Sequence, residues 1–296
     1  MKKIILLFAT IIPTLVYSQE KKFTSFELLY DISQQVNLKE DYSMYDLEKI
    51  KIYNDTLFTM LIKKNHMSKI PLTKKAISFE HEKFILPTDY TPITFTRNEG
   101  KWYFLLPFKG LGYMDNEKKY ITLIPKAPKW QFQNFFFVNN QIVLIDTDEY
   151  NGLFELYDLK GNLMDSTSIS IFDFNNSIIY NNTIWDGYDQ IKVSKNKVNI
   201  SESYDINKYG NENTFVGGYQ NMGFFINYEK RNKIVIRDME TKFIKESLTF
   251  PHFFKESDLG IVEEGRVNLR ILSEDNNTFY FVTLKKGHLM IYKAVR

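Results

Sequence analysis

Short apolar runs alternate along the whole chain with turns built around asparagine. Asn54-Asp55-Thr56 precedes Leu57–Ile62, Asn98-Glu99-Gly100 precedes Trp102–Leu106, and Asn139-Asn140 precedes Gln141–Ile145. Asn181-Asn182 precedes Thr183–Trp185, Asn221-Met222-Gly223 precedes Phe224–Ile226, and Asn276-Asn277 precedes Thr278–Val282. The leading asparagine recurs after 44, 41, 42, 40 and 55 residues, and a period near forty marks a repeat unit of four strands. Asparagine tolerates positive φ better than other side chains that carry a Cβ, so it makes tight hairpins where glycine is scarce. Four residues after each leading asparagine stand Phe58, Trp102, Val143, Trp185, Phe225 and Tyr280. A position that is large and apolar in every unit is what a core between packed sheets requires.

Further hairpins lie within the units. Leu153–Asp158 alternates, turns at Lys160-Gly161-Asn162 and resumes at Leu163, and Ile234–Arg237 turns near Glu240-Thr241 into Lys242–Ile244. The last unit ends with Leu289–Val295, which reads as a third strand and leaves no residues for a fourth. The unassigned apolar segment Phe23–Ile32 fills that place. The long final interval predicts a larger loop over Pro251–Gly265.

Composition sharpens this picture. The 296 residues include 25 Phe, 19 Tyr and 3 Trp, which favour strands. Alanine, the best helix former, occurs only at Ala9, Ala76, Ala127 and Ala294, which argues against a helical bundle. Lys2 and Lys3 account for the whole excess of 38 basic over 36 acidic side chains. A chain balanced in this way lacks the electrostatic footprint of a nucleic-acid binder.

On this period and strand pattern, over roughly residues 23–296, the chain resembles the six-bladed β-propellers found among secreted bacterial proteins. The resemblance implies one all-β domain over residues 19–296, a β-propeller of six blades with four antiparallel strands each. Phe23–Ile32 would close the ring by completing the last blade, which removes exposed sheet edges. The recurring marks of WD40 blades are absent, and a kelch-type Gly-Gly occurs once, at Gly217-Gly218. A row of β-sandwiches would need a longer period and linkers between its units.

Residues 1–18 read as a secretory signal peptide. Lys2 and Lys3 supply the charged start, Ile4–Val16 the apolar stretch, and Val16-Tyr17-Ser18 the cleavage site ahead of Gln19. The apolar stretch is too short for a ~30 Å hydrocarbon core and contains Pro13. With no cysteine in the chain, a lipid anchor on an N-terminal Cys, disulfides and thiolate metal sites are all excluded. The expected destination is periplasmic or extracellular.

If strands run outward within each unit, the asparagine turns lie at one end, and the second-to-third and unit-to-unit connections lie at the other, around a channel mouth. His66 and His288 are assigned to second-to-third loops, and His81 and His252 to unit-to-unit loops. The four are candidates for a metal or acid–base site, since neutral imidazole binds zinc, although solvated loop histidines are the simpler reading. Asp146-Thr147-Asp148 begins like a calcium loop, but Tyr150 and Asn151 stand where Asp or Asn and then Gly belong. In the fourth unit Trp185 is followed by Asp186, Gly187, Tyr188 and Asp189 where sibling units continue apolar. Acids beside aromatics can hold a sugar, and Asp-Gly can equally end a strand early. Trp130 follows a Pro- and Lys-rich connection and is a further ligand candidate. Motifs for phosphate, dinucleotide, serine-nucleophile and HExxH chemistry are absent from the sequence.

These readings favour a secreted, non-catalytic binding module for a protein or a carbohydrate ligand, working without a cofactor. The alternative is a channel-mouth hydrolase or lyase acting on a polysaccharide or lactone. The leader assignment is checked by intact-mass measurement of the exported protein. The expected mass is that of a chain beginning at Gln19, and retention of residues 1–18 would refute the cleavage site.

Overall fold

The computed structural model describes residues 20–32, 44–63, 65–73, 79–87, 91–126, 131–147, 152–169, 176–185, 189–203, 213–227, 232–241, 243–254, 269–285 and 288–296. Its asparagine-marked turns show why those residues were needed. Asn54 and Asp55 (φ 49° and 53°), Asn139 and Asn140 (53° and 57°), and Asn181 and Asn182 (49° and 57°) are consecutive left-handed pairs. Glu99 and Gly100 take the same role with φ 47° and 82°, and Gln220 does so at 51°. Two left-handed residues in succession match the twist of the strands they join. The last turn departs from this pattern. Ser273 pairs with Phe279 across a longer loop, in which the Asp275 carboxylate accepts hydrogen bonds from the backbone N–H groups of Asn277 and Thr278 at 2.6 and 2.5 Å.

The described residues are all-β, with a two-turn 3-10 segment at Met44–Lys49 as the longest helical piece among them. Four sheets have four strands each, antiparallel and in chain order. The first comprises Ile50–Tyr53, Thr56–Thr59, His66–Pro71 and Glu80–Lys83. The second comprises Thr94–Asn98, Lys101–Leu106, Gly110–Met114 and Tyr120–Pro125. Gln131–Val138, Gln141–Thr147, Gly152–Tyr157 and Leu163–Ile169 form the third, and Ile178–Tyr180, Thr183–Trp185, Asp189–Ser194 and Lys197–Ser203 the fourth.

The expectation of two further separate four-stranded sheets is corrected. Asn213–Tyr219, Met222–Asn227, Lys233–Asp238 and Ile244–Thr249 share one nine-stranded sheet with Leu269–Ser273, Thr278–Lys285, His288–Val295, Ser25–Asp31 and Glu20–Lys22. The two halves meet through one parallel contact, Gly217 opposite Ile271. Gly217 has φ 134°, and a Cβ built there would stand 2.3 Å from the Ile271 carbonyl oxygen. Only glycine lets these two backbones approach so closely.

The chain's N-terminal segment binds both halves. Ser25–Asp31 pairs antiparallel with His288–Val295, Ser25 opposite Val295 and Asp31 opposite Met290. Ahead of it, Glu20–Lys22 adds parallel to Ile244–Thr249, a pairing that a strand starting at Phe23 did not anticipate. A buried carboxylate secures this junction: Glu246 is ion-paired with Lys21 at 3.1 Å and with Arg296 at 2.9 Å.

Burial follows position within each sheet. In the third, Ile142, Val143, Leu144 and Ile145 have no exposed surface, the mark of a strand covered on both faces. Outer strands such as Glu80–Lys83 are mostly exposed. Phe58, Val143, Trp185, Phe225 and Tyr280 are buried, while Trp102 is half-buried against the same kind of cluster and carries the Arg97 guanidinium over its ring.

Apolar clusters join each sheet to the next. Met67 and Phe84 of the first pack with Phe95 and Phe104 of the second, and Leu105 and Ile124 of the second with Phe135 and Leu144 of the third. Val143 and Phe154 of the third meet Ile184 and Ile191 of the fourth, and Trp185 of the fourth meets Phe215 and Phe225. Phe224 and Ile236 meet Phe279 and Phe281 within the large sheet. Tyr280, Val282, Leu289 and Ile291 near the chain's end pack with Ile50, Leu57 and Ile70 of the first sheet.

Deleting Phe23–Ile32 removes a strand that pairs with His288–Val295 and buries Tyr30 and Ile32. The truncated protein is expected to unfold at clearly lower denaturant than the full chain. Coincident unfolding curves would refute this structural role.

Candidate functional site

The sequence-predicted residues separate once the strands are in place. Asp146 lies inside the strand Gln141–Thr147, opposite Leu153 and Phe132, and is 1% exposed. It is a core carboxylate, so the calcium-loop resemblance stops at the first residue. Asp189 opens the strand Asp189–Ser194 and pairs with Ser203. Asp148, Trp130, Asp186 and Tyr188 lie outside the described residues. In the fourth sheet Trp185, the last described residue of the second strand, pairs with Gln190.

Three of the four histidines sit on strands, which corrects their assignment to loops. His66 opens His66–Pro71, His288 opens His288–Val295, and His81 lies within Glu80–Lys83. Strand pairing brings two of them together. Ser68 faces His81 in register, and the His66 and His81 rings lie 6.4 Å apart, nearly perpendicular. His81 Nδ1 is 3.0 Å from Ser68 Oγ, and its ring stacks on Phe79. Desolvation, reinforced by the charges of Lys63 and His66, holds the His81 imidazole below its usual pKa. His288 stands 3.8 Å from the Asp31 carboxylate, on the strand pair formed by the chain's two ends, while His252 follows Ile244–Thr249 in an exposed turn. Among the described residues no group of three or more His, Asp or Glu side chains is placed to hold a metal ion.

A buried, charge-coupled cluster around Glu48 was not singled out from sequence. Met44–Lys49 leads into the first strand of the first sheet and buries Leu47 and Glu48. Arg270, from the large sheet, donates from Nη1 to the Leu47 carbonyl at 3.2 Å and ion-pairs with Glu48 Oε1 at 2.8 Å. Lys51 Nζ donates to Glu48 Oε2 at 3.0 Å, and Thr94 Oγ1 of the second sheet donates to the Glu48 carbonyl at 3.2 Å. One residue thus ties three sheets together.

The charges in this cluster are unequal, with two cations sharing one carboxylate. Burial would raise the Glu48 pKa, but Arg270 and Lys51 outweigh burial and hold it below the usual carboxylate range. For Lys51, desolvation and the repulsion of Arg270 outweigh the attraction of Glu48 and push its ammonium down to about 8. Glu48 and Arg270 are 222 residues apart in sequence, and nothing local in either stretch marks the pair.

No protein-family model matches the chain, and no curated protein matches it. Among solved structures it is similar to a Bacteroides fragilis protein designated as exported, at 9% identity and a TM-score of 0.48, over 94% of this chain and 98% of that one. It is similar to the AfRom2 CNH domain at 10% identity and a TM-score of 0.46, over 94% of this chain and 97% of that one. It is also similar to the extracellular domain of a B. thetaiotaomicron protein designated a hybrid two-component system, at 13% identity and a TM-score of 0.45. That match covers 87% of this chain and 33% of the other. No helix among the described residues is long and apolar enough to cross a membrane.

A lysine whose folded pKa of about 8 lies below its ordinary 10.5 binds fewer protons folded than unfolded between those values. Stability therefore rises as pH rises through that window. Tyr120, Tyr157 and Tyr280 are shifted upward by burial and act in the opposite direction only once ordinary tyrosine ionises, near pH 10. The expected gain between pH 7 and 9.5 is about 1–2 kcal/mol, measured by denaturant unfolding. Lys51→Met is expected to abolish the gain and to raise stability at pH 7. A variant with the same pH slope as the parent protein would refute the charge imbalance.

Proposed function

We propose that the chain is an exported, single-domain six-bladed β-propeller over residues 19–296, serving as a non-catalytic binding module for a protein or glycan partner. The observation that carries this reading is the cyclic order of the apolar clusters. Every sheet shares one with the next in chain order, and the strands near the chain's end share one with the first sheet. Sheets stacked in such a cycle hold their strand ends on a stiff frame, and variable connections on a stiff frame are suited to recognition.

Strand direction supports one end as the docking face. Strands alternate in direction within each sheet, so Pro125 and Gln131, Thr147 and Gly152, and Trp185 and Asp189 belong to strand ends on the same side of neighbouring sheets. Trp130, Asp148, Asp186 and Tyr188 belong to the connections between those ends, and Asp189 begins the strand after the last. In this reading they contact the partner, while Asp146 lies beneath the surface.

The test is binding of the mature protein to a panel of soluble polysaccharides and to solubilised envelope proteins, with mass analysis of the ligand afterwards. Reversible binding with the ligand chemically unchanged is expected. Asp186→Asn combined with Asp189→Asn should weaken that binding by about 1.5–3 kcal/mol per lost charged hydrogen bond and leave the melting temperature unaltered. A cleaved or rearranged ligand would overturn the non-catalytic reading, and undiminished binding would remove the two aspartates from the site.

A further inference from the structure

The N-terminal segment has to cross from one edge of the large sheet to the other, from Glu20–Lys22 beside Ile244–Thr249 to Ser25–Asp31 beside His288–Val295. A cavity of about 410 Å³ lies at that crossing, lined by Lys22–Phe26 on one side and Thr249–His252 on the other. This volume falls in the range of small-molecule sites. Three phenyl rings, Phe23, Phe26 and Phe250, are among its lining, with Phe23 and Phe250 stacked 6.3 Å apart and Phe26 edge-on to Phe250 at 6.1 Å. These rings are held from behind by Phe254, Phe281 and Tyr292, so the wall is a fixed surface.

The ionisable side chains among the described lining residues are Lys22 and His252. Alternation along the first strand sends Lys21 to the buried Glu246, which also takes Arg296. The next residue, Lys22, is exposed at the cavity and has no ion pair or hydrogen bond to any other described side chain; the same holds for His252 across from it. The Thr24 hydroxyl is committed to the carbonyls of Val295 and Arg296. No carboxylate is among the described lining residues. An aromatic wall with an exposed lysine and an imidazole at its rim matches a body that is apolar and a head that is anionic.

We propose that this seam is a binding site for a small amphipathic carboxylate, its acyl or aryl body against Phe23, Phe26 and Phe250 and its carboxylate between Lys22 and His252. The site is at the crossing of the N-terminal segment, uses none of the residues assigned to the docking face, and stands independently of the function proposed above.

The test uses 8-anilinonaphthalene-1-sulfonate, an aromatic anion, with the mature protein well below its melting temperature so that partly unfolded chains do not contribute. One saturable site per chain is expected, displaced by dodecanoate and at least about tenfold less well by dodecanol, which keeps the chain and lacks the charge. Lys22→Gln combined with His252→Gln should weaken dodecanoate by about tenfold or more with unchanged melting, because both side chains are exposed. Ser25→Trp, at an exposed lining position, should block the dye altogether while the aromatic wall stays intact. Displacement by phenylpropionate in place of dodecanoate would identify the aryl form of the ligand. Absence of saturable binding, equal displacement by dodecanol, or indifference to both variants would each overturn the proposal.

Discussion

A β-sheet that is apolar on both faces cannot stop at solvent on either side, and in this chain the inner strands are apolar on both. Ile142 to Ile145 lose all their accessible surface, and Leu105, Leu106, Phe224 and Phe281 lose nearly all of theirs. At roughly 1.5–3 kcal/mol for each large side chain kept from water, leaving one such face open would cost more than most domains have in net stability. Each sheet therefore needs two neighbours. The clusters show how the chain meets that demand at its ends, with Tyr280, Val282 and Ile291 packed on Ile50, Leu57 and Ile70. The N-terminal strand, with Tyr30 and Ile32 buried in the same cluster, secures the junction by hydrogen bonding to the last strand.

Two buried carboxylates sit at junctions, Glu48 where three sheets meet and Glu246 between the strands of the large sheet that the N-terminal segment joins. Glu48 and Glu246 are each buried and each held by two cations, Glu48 by the nearby Lys51 and the distant Arg270, Glu246 by Lys21 and Arg296 from the two far ends of the described chain. Such clusters contribute little net stability, because desolvation offsets the attraction. Their geometric effect is larger. A carboxylate deprived of its partners would be left buried and charged, so any arrangement that fails to bring Arg270 to Glu48, or Lys21 and Arg296 to Glu246, is penalised. The excess positive charge around Lys51 and the Lys22 at the seam, which has no ion pair among the described residues, are two places where this matching is incomplete.

The legibility of the sequence varied with the range of the interaction. Turns were readable because backbone sterics are local: Asn54, Asn139 and Asn181 stand at the left-handed positions where only a few residue types are comfortable. The same reasoning failed at Asn98 and Asn221, where Glu99 and Gln220 take the left-handed position beside them. Trp185 was recognised as core by its recurrence, and it is 4% exposed. Asp146 was misplaced because polarity alone does not tell a loop residue from a strand residue that faces the interior. The histidines were assigned to loops because strand ends cannot be fixed from composition, and a shift of one or two residues moves a side chain from a connection onto a strand.

By itself the sequence determined the all-β character, the spacing of the hairpins, the large apolar position in each unit and the strand available at Phe23–Ile32. These follow from backbone preference and hydrophobic periodicity, which act over a few residues. Tertiary structure alone decided the partners: the parallel contact of Gly217 with Ile271, the extra strand Glu20–Lys22, the Glu48–Arg270 ion pair and the cavity beneath the crossing. Each of these joins residues separated by tens to hundreds of positions. Such contacts depend on the summed twist and packing of every sheet between them, and no local preference encodes that sum.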